Sequence, residues 1–384
     1  MKYITRIIEP IIVRYSQLFP VVAITGPRQT GKSTTLMNIF KDYRYVTFDD
    51  YKAIDFFTKD PEAFMALYNN KVIFDEAQKV PKLFNYIKIA VDNDRSNYGK
   101  FILTGSSQFT FRTKISESLA GRIGLLSMLP FQFQELPNTL KEDSIFKGGY
   151  PELTTRKYEG FNEWYESYIN TYIERDVRTL LNIGDLRDFR RLIILLAANT
   201  VQVLNMSKLS IELGVAVQTI KRWVSVLEAS YIIFLLPTYY KNFGKRVRKL
   251  PKIYFYDTGL VSFLNGIKDK QTFENSTLCG SIFENYVVLE IYKKELSNNA
   301  QSNLYYFRTS NQEEIDLIVD RKNHKDLIEI KSGKSFKLKM ITSVKKFLEP
   351  NDTGYLLFRG EEFRYKSNIK ICNYKDYLNL KIRL

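Results

Sequence analysis

The eight residues Gly26-Pro27-Arg28-Gln29-Thr30-Gly31-Lys32-Ser33 constrain this chain more than any others, because they follow the spacing G-x-x-x-x-G-K-[ST] without interruption. Such a loop needs a buried strand before it and a helix after it, since its backbone N–H groups must converge on an anion at a helix N-terminus. Both flanks are present. Val21 to Thr25 is a short apolar run suited to a strand covered on both faces, and within Thr34 to Phe40 the residues Leu36, Ile39 and Phe40 share one helical face. Lys32 offers a compact positive charge to the β and γ phosphates of a nucleotide, and Ser33 a hydroxyl to Mg²⁺. The expected nucleotide contacts are Gly26, Pro27, Arg28, Gln29, Thr30, Gly31, Lys32, Ser33 and Thr34.

Some forty residues later, Lys71-Val72-Ile73-Phe74-Asp75-Glu76 reads as a hydrophobic strand delivering two adjacent carboxylates at its C-terminal end. Open α/β sheets bind their ligands at that end. Asp75 is expected to hold Mg²⁺, directly or through its water, and Glu76 to orient the water that attacks the γ phosphate. A further run, Phe101 to Thr104, leads into Gly105-Ser106-Ser107. A strand inserted after the acidic one, tipped by small polar groups, suits a γ-phosphate sensor; Ser106 is the first choice and Thr104 the second. Two readings of Arg122 stand: stabilisation of phosphoryl charge, in cis or from a neighbouring subunit, or an ion pair with a surface carboxylate.

These segments together resemble a known family. GPRQTGKS, KVIFDEAQ, LTGSS, SLAGR, LPFQFQEL, GGYPE and YIERDV look like the AAA-type ATPases of bacteria and archaea that carry a C-terminal domain of unknown function. The resemblance spans essentially the whole chain. It implies ATP and Mg as cofactors, nucleotide binding by Gly26, Gly31, Lys32 and Ser33, and metal binding and hydrolysis by Asp75 and Glu76. For Arg175 it leaves a phosphate-facing role beside an ion pair with Glu174 or Asp176.

Charge and rare residues narrow the rest. The 384 residues carry 57 Lys and Arg against 42 Asp and Glu, a net charge of +15 that favours polyanionic partners such as nucleic acid or an anionic membrane face. His324 is the sole histidine, so a zinc site built on several histidines lacks its ligands and a Ser-His-Asp triad would have to rest on His324 alone, which disfavours both. Cys279 and Cys372 are too few for a disulfide framework and suit a reducing cytosol. Leu192 to Leu204 contains Asn199, Thr200 and Gln202 and is too short and polar to span a bilayer. A soluble, cytoplasmic protein is expected.

Residues 207–223 have the pattern of a helix-turn-helix: Ser207 as cap, Gly214 at the turn, and Leu209, Leu213, Val215, Ile220 and Val224 facing inward. Tyr231 to Leu236 and Lys252 to Tyr256 supply two strands of a wing. Gln218, Thr219, Lys221 and Arg222 should lie on the exposed face of the second helix. Lys241, Lys245, Arg246, Arg248, Lys249 and Lys252 place six positive charges in twelve residues, enough to neutralise several phosphates of DNA. Winged helices also pack against proteins, and that alternative stands beside DNA contact.

In the last third, Glu314 to Val319 and Leu327 to Lys331 alternate as paired strands, following a helix that carries Glu284. Period two puts Glu329 and Lys331 on one face, and pairing brings Asp316 beside them. Asp316, Glu329-x-Lys331 and Glu284 resemble the restriction-endonuclease-like, PD-(D/E)xK-type core, with Ile315 where proline is often found. The resemblance implies a second Mg²⁺ held by Glu284, Asp316 and Glu329, with Lys331 positioning water.

The expected fold is therefore α/β: a P-loop NTPase domain of the additional-strand, AAA type over 1–140, a helical connector and winged helix-turn-helix over 141–255, and a restriction-endonuclease-like domain over 256–384. The expected function is Mg-dependent ATP hydrolysis driving a DNA-associated switch in which nucleotide changes how the domains dock. Two alternatives are an ATP-regulated metal-dependent DNA nuclease and a nucleotide-gated protein-interaction module. A homo-oligomer that completes the ATP site is left open.

Overall fold

Val21–Thr25 (β1) is buried at all five positions, as its unbroken apolar run requires, and it is an interior strand of a parallel sheet, between two neighbours, in a computed structural model. The structure describes residues 3–105, 118–173, 186–239, 250–298, 303–366 and 368–380. These divide into two compact units.

The first unit comprises Met1–Phe131 together with Tyr150–Glu152 and Ala229–Tyr231. Its further strands are β2 (Arg44–Thr47), β3 (Val72–Asp75), β4 (Phe101–Gly105) and β5 (Ile123–Ser127), in the order β2-β3-β4-β1-β5 with every pairing parallel. β4 thus lies between the glycine-loop strand and the acidic strand, the position expected of an inserted strand. Alternate residues of β1 serve opposite cores. Val21 and Ala23 join Phe74, Phe101 and Leu103 on one face, and Val22 and Ile24 join Ile73, Ile102 and Leu126 on the other. Helices α1 (Glu9–Ser16), α2 (Lys32–Ile39), α3 (Tyr51–Lys59), α4 (Pro61–Leu67) and α5 (Leu83–Asp92) accompany the sheet. Asp50 and Asp60 cap α3 and α4 by accepting from Lys52 N and Ala63 N, each at 2.9 Å. The C-terminal ends of β1, β3 and β4 present Gly26, Asp75 and Gly105 along one edge.

The second unit comprises Gln132–Gly149, Leu153–Glu228 and Ile232–Leu384. Its helices include α6 (Phe161–Tyr168), α7 (Leu186–Ala198), α8 (Met206–Leu213) and α9 (Val217–Ala229), followed by the antiparallel pair β6 (Ile233–Leu236) and β7 (Lys252–Phe255). The cap of α8 differs from expectation. Asn205 accepts from Lys208 N at 2.9 Å and is the capping residue, so Ser207 falls inside the first turn. Gly214 ends α8 at φ 70°, a left-handed conformation that glycine adopts without strain. Leu209, Leu213, Ile220 and Val224 are buried, and Trp223 sits edge-on to Phe189.

After helix α10 (Cys279–Ser297) come β8 (Asn303–Arg308), β9 (Glu314–Asp320), β10 (Lys325–Lys331), β11 (Thr353–Phe358), β12 (Phe363–Lys366) and β13 (Ile369–Asn373). They form a mixed six-stranded sheet, β12-β13-β11-β10-β9-β8, in which β10 runs parallel to β11 and antiparallel to β9. Helices α11 (Thr342–Phe347) and α12 (Tyr374–Asn379) complete the segment. Among the described residues no helix is long and apolar enough to cross a membrane.

Candidate functional site

The loop leaving β1 closes on itself. Gly26 has φ 146° and lies so near β5's continuation that a Cβ there would fall on the Met128 carbonyl, so only glycine fits. Gly31, at φ 84°, is the N-cap of α2. Lys32 Nζ donates to the carbonyls of Gly26 at 3.0 Å and Pro27 at 2.7 Å, and Thr30 Oγ1 donates to Pro27 O at 3.0 Å. Lys32 is 6% exposed, and this burial pulls its pKa down to about 8, against the opposing charges of Glu76 and Asp75. Arg28 and Gln29 are half-buried and Thr34 is exposed.

A residue that motif reading overlooks braces this loop from α1's approach. Arg6 is 5% exposed and donates to Thr30 O at 2.8 Å and Leu129 O at 2.6 Å, with its guanidinium carbon 4.7 Å from the Phe131 ring centroid. It ties the loop to the strand-exit residues beyond β5.

Ser33 Oγ donates toward both carboxylate oxygens of Asp75, at 3.0 and 2.9 Å. Asp75 is buried and also receives the hydroxyls of Tyr45, at 2.5 Å, and Thr104. Tyr45 was not legible in the motif; burial and then the neighbouring Asp75 push its phenol up to about 12. Thr104 bridges two functions, because its Oγ1 also accepts from Glu76 N at 3.1 Å. Glu76 itself has φ 54°, and Gln78 Nε2 donates to its carboxylate at 2.5 Å. A non-glycine residue held in that region is commonly found where a side chain must be aimed. Arg122 is engaged by Asp92, with contacts of 2.7 and 3.0 Å, and by the Ala120 carbonyl. Ser106 and Arg175 lie outside the described residues.

In the second unit the structure brings Asp316, Glu329 and Lys331 together: Lys331 Nζ is 2.6 Å from Glu329 Oε1 and 3.2 Å from Asp316 Oδ2, which also accepts from Ile330 N at 2.8 Å. Burial first, then the charge of Asp316, raises the carboxyl pKa of both Glu284 and Glu329. Glu284 accepts from Tyr254 OH at 2.9 Å and pairs with Lys252 at 3.3 Å. Lys252, the last charge of the basic run, is not on the open face expected of it: it is 3% exposed and also pairs with Glu314. Among the described residues no three acidic, histidine or cysteine side chains are grouped to hold a metal ion.

Of the expected DNA-facing residues, Gln218, Lys221 and Arg222 are exposed on α9. Thr219 is half-buried, because it follows the turn of α9 toward the buried Ile220, and so is not on the open face as expected. Lys245, Arg246, Arg248 and Lys249 lie outside the described residues.

Three family models match the chain in succession: an AAA domain over residues 18–137, a domain of unknown function (DUF8612) over 138–271, and a domain of unknown function (DUF4143) over 279–377. Uncharacterized proteins of Mycobacterium tuberculosis and Mycobacterium bovis are each 33% identical over 303 residues, covering 78% of this chain and 68% of theirs. Among solved structures, a Walker-type ATPase of Pyrococcus abyssi aligns with 67% of this chain and 94% of its own at 15% identity and a TM-score of 0.47. The chain belongs to the family of the two mycobacterial proteins and carries an AAA domain followed toward the C-terminus by the DUF4143 domain.

Proposed function

We propose that this protein binds ATP with Mg²⁺, hydrolyses it, and uses the cycle as a switch associated with DNA. The observation that carries this reading is the approach of the Ser33 hydroxyl to both oxygens of Asp75 at the start of α2. That all-oxygen pair suits a hard cation such as Mg²⁺. The Gly26 backbone packs against the Met128 carbonyl with no room for a side chain, which fixes the start of the loop. A bound Mg²⁺ would neutralise charge on the transferring phosphoryl group.

The chain's own groups then divide the work. Residues Gly26 to Thr34 wrap the phosphates, and Lys32 exchanges its two carbonyl partners for phosphate oxygens. Ser33 and Asp75 hold the metal. Glu76, aimed by its backbone and by Gln78, orients the attacking water and accepts its proton. Thr104 keeps Asp75 and Glu76 in register, and Ser106 is proposed to answer the γ phosphate; Arg122, held by Asp92 at the opposite end of the parallel strands, would reach a γ phosphate only in a neighbouring subunit. A Lys32→Ala protein that hydrolysed ATP at the original rate would sink the proposal.

The domain limits proposed are 1–140, 141–255 and 256–384. The helices α8 and α9 with the β6–β7 pair support a winged helix, whose exposed Gln218, Lys221 and Arg222 would meet DNA together with Lys245, Arg246, Arg248 and Lys249. Fluorescence anisotropy across salt concentrations tests this: DNA affinity should fall steeply with salt, and a flat response favours a protein partner instead. A second reading, a DNA nuclease with a restriction-endonuclease-like core, draws on the convergence of Asp316, Glu329 and Lys331. The absence of Lys331-dependent DNA cutting with Mg²⁺ or Mn²⁺, with Lys331→Ala as the control, would remove it.

A further inference from the structure

Lys252 opens β7 and is 3% exposed, although it belongs by sequence to a run of basic residues. Its Nζ lies 3.3 Å from Glu284 Oε1 and in contact with Glu314 Oε1. Tyr254, two residues along and so on the same face of β7, donates to the same Glu284 oxygen at 2.9 Å. Lys331 is divided between Glu329, at 2.6 Å, and Asp316, at 3.2 Å, and Arg308 Nε stands 3.5 Å from Glu314 Oε2. Each of the four carboxylates Glu284, Glu314, Asp316 and Glu329 is therefore met by a cation that the chain itself supplies, from β7, β8 and β10.

A divalent metal needs several carboxylate and water oxygens turned to one point, at roughly 2.0–2.6 Å. The expected ligands do not stand that way. Glu284 is turned to Lys252 and Tyr254, and Asp316 to Lys331 and the Ile330 amide. A buried ammonium among carboxylates is held there by its own stability: removing one partner leaves the other charge uncompensated.

We propose that Lys252 is a tethered counter-ion that keeps this carboxylate cluster closed to divalent metal, so that the cluster becomes a metal site only when the Lys252 ammonium is taken away. The lock stands on these contacts; only the expectation of a metal rests on the nuclease-like reading.

The test is Mn²⁺ binding to the full-length protein without nucleotide, read by electron paramagnetic resonance of free Mn²⁺, with Asp316→Asn marking the cluster. Wild type and Asp316→Asn should bind Mn²⁺ alike. Lys252→Met should gain about one ion at least tenfold more tightly, and Lys252→Met/Asp316→Asn should lose it again. A wild-type site that depends on Asp316, or no gain in Lys252→Met, overturns the proposal. Lys252→Gln serves as a second variant, with near-ultraviolet circular dichroism confirming the fold; if neither folds, the wild-type and Asp316→Asn comparison decides. Plasmid cleavage separates the two ideas. Metal-loaded Lys252→Met that leaves DNA intact argues against a nuclease and leaves the lock standing, whereas Asp316-dependent cutting by wild type breaks the lock.

Discussion

Ser33 Oγ reaches both carboxylate oxygens of Asp75, at 3.0 and 2.9 Å, across 42 residues of sequence. The two side chains meet as a single unit, and groups that act as a unit are not additive when removed. Ser33→Ala and Asp75→Asn should each lower kcat for ATP by about 100-fold, and the double variant should be less than about tenfold worse than either. Steady-state ATPase assays of the three variants check this; independent, multiplying losses would show that the pair does not work together.

Tyr45 donates to Asp75 Oδ2 at 2.5 Å and so competes for an oxygen that a metal would use. Tyr45→Phe removes one hydrogen bond worth about 1 kcal/mol, and the Mg²⁺ concentration giving half-maximal ATPase activity should fall about fivefold. An unchanged or higher requirement would instead make the phenol a positioning group.

Lys32 gives a pH signature. Its folded pKa, about 8, lies below the ordinary 10.5, so the folded protein holds fewer protons than the unfolded chain between those values. The Lys32 contribution to stability therefore rises as pH climbs from about 8 toward 10.5. A triphosphate favours the ammonium, so nucleotide binding at pH 8.5 should take up protons and its affinity should weaken as pH increases. Calorimetry in two buffers of different ionisation enthalpy measures the uptake; release of protons would contradict the assignment.

The two loop glycines should differ sharply. A Cβ at Gly26 meets the Met128 carbonyl, which can yield only by moving backbone, so Gly26→Ala should cost about 3 kcal/mol or more. At Gly31 the nearest atoms to such a Cβ are 4.0 Å away, leaving only the strain of φ 84°, about 1–2 kcal/mol. Urea denaturation of both variants gives the comparison, and equal losses would refute it.

Arg6→Met keeps an apolar stem against Phe131 but removes the two hydrogen bonds to Thr30 O and Leu129 O. The loop should become less preorganised, raising KM for ATP about tenfold with a smaller change in kcat. A pure loss of kcat would mean that Arg6 acts elsewhere.

What was legible in the sequence depended on range. β1, the glycine loop and the paired β9 and β10 are set by local period and spacing, and Asp75 could be paired with Ser33 because both sit in a known spacing. Arg6, Tyr45 and Lys252 act through partners 24, 30 and 32 residues away, and nothing local to each marks the contact. Lys252 in particular reads as one of the phosphate-neutralising charges of the wing, because its neighbours in sequence are basic. β5 was also hidden, since Ile-Gly-Leu-Leu-Ser is half-exposed at alternate positions and contains a glycine. Ser207 looked like the cap of α8 by residue type, but Asn205 has the geometry for it.

The place of β4 between β1 and β3 makes Thr104 a spacer whose accuracy is set by strand register. Slipping β4 by a single residue would turn that side chain through to the opposite face of the sheet. Asp75 and the Glu76 amide would lose their common hydroxyl in the same step, so the metal-holding and water-aiming halves of the pocket would fail together. The sheet's interior, rather than its rim, is where tolerance for sequence change should be smallest.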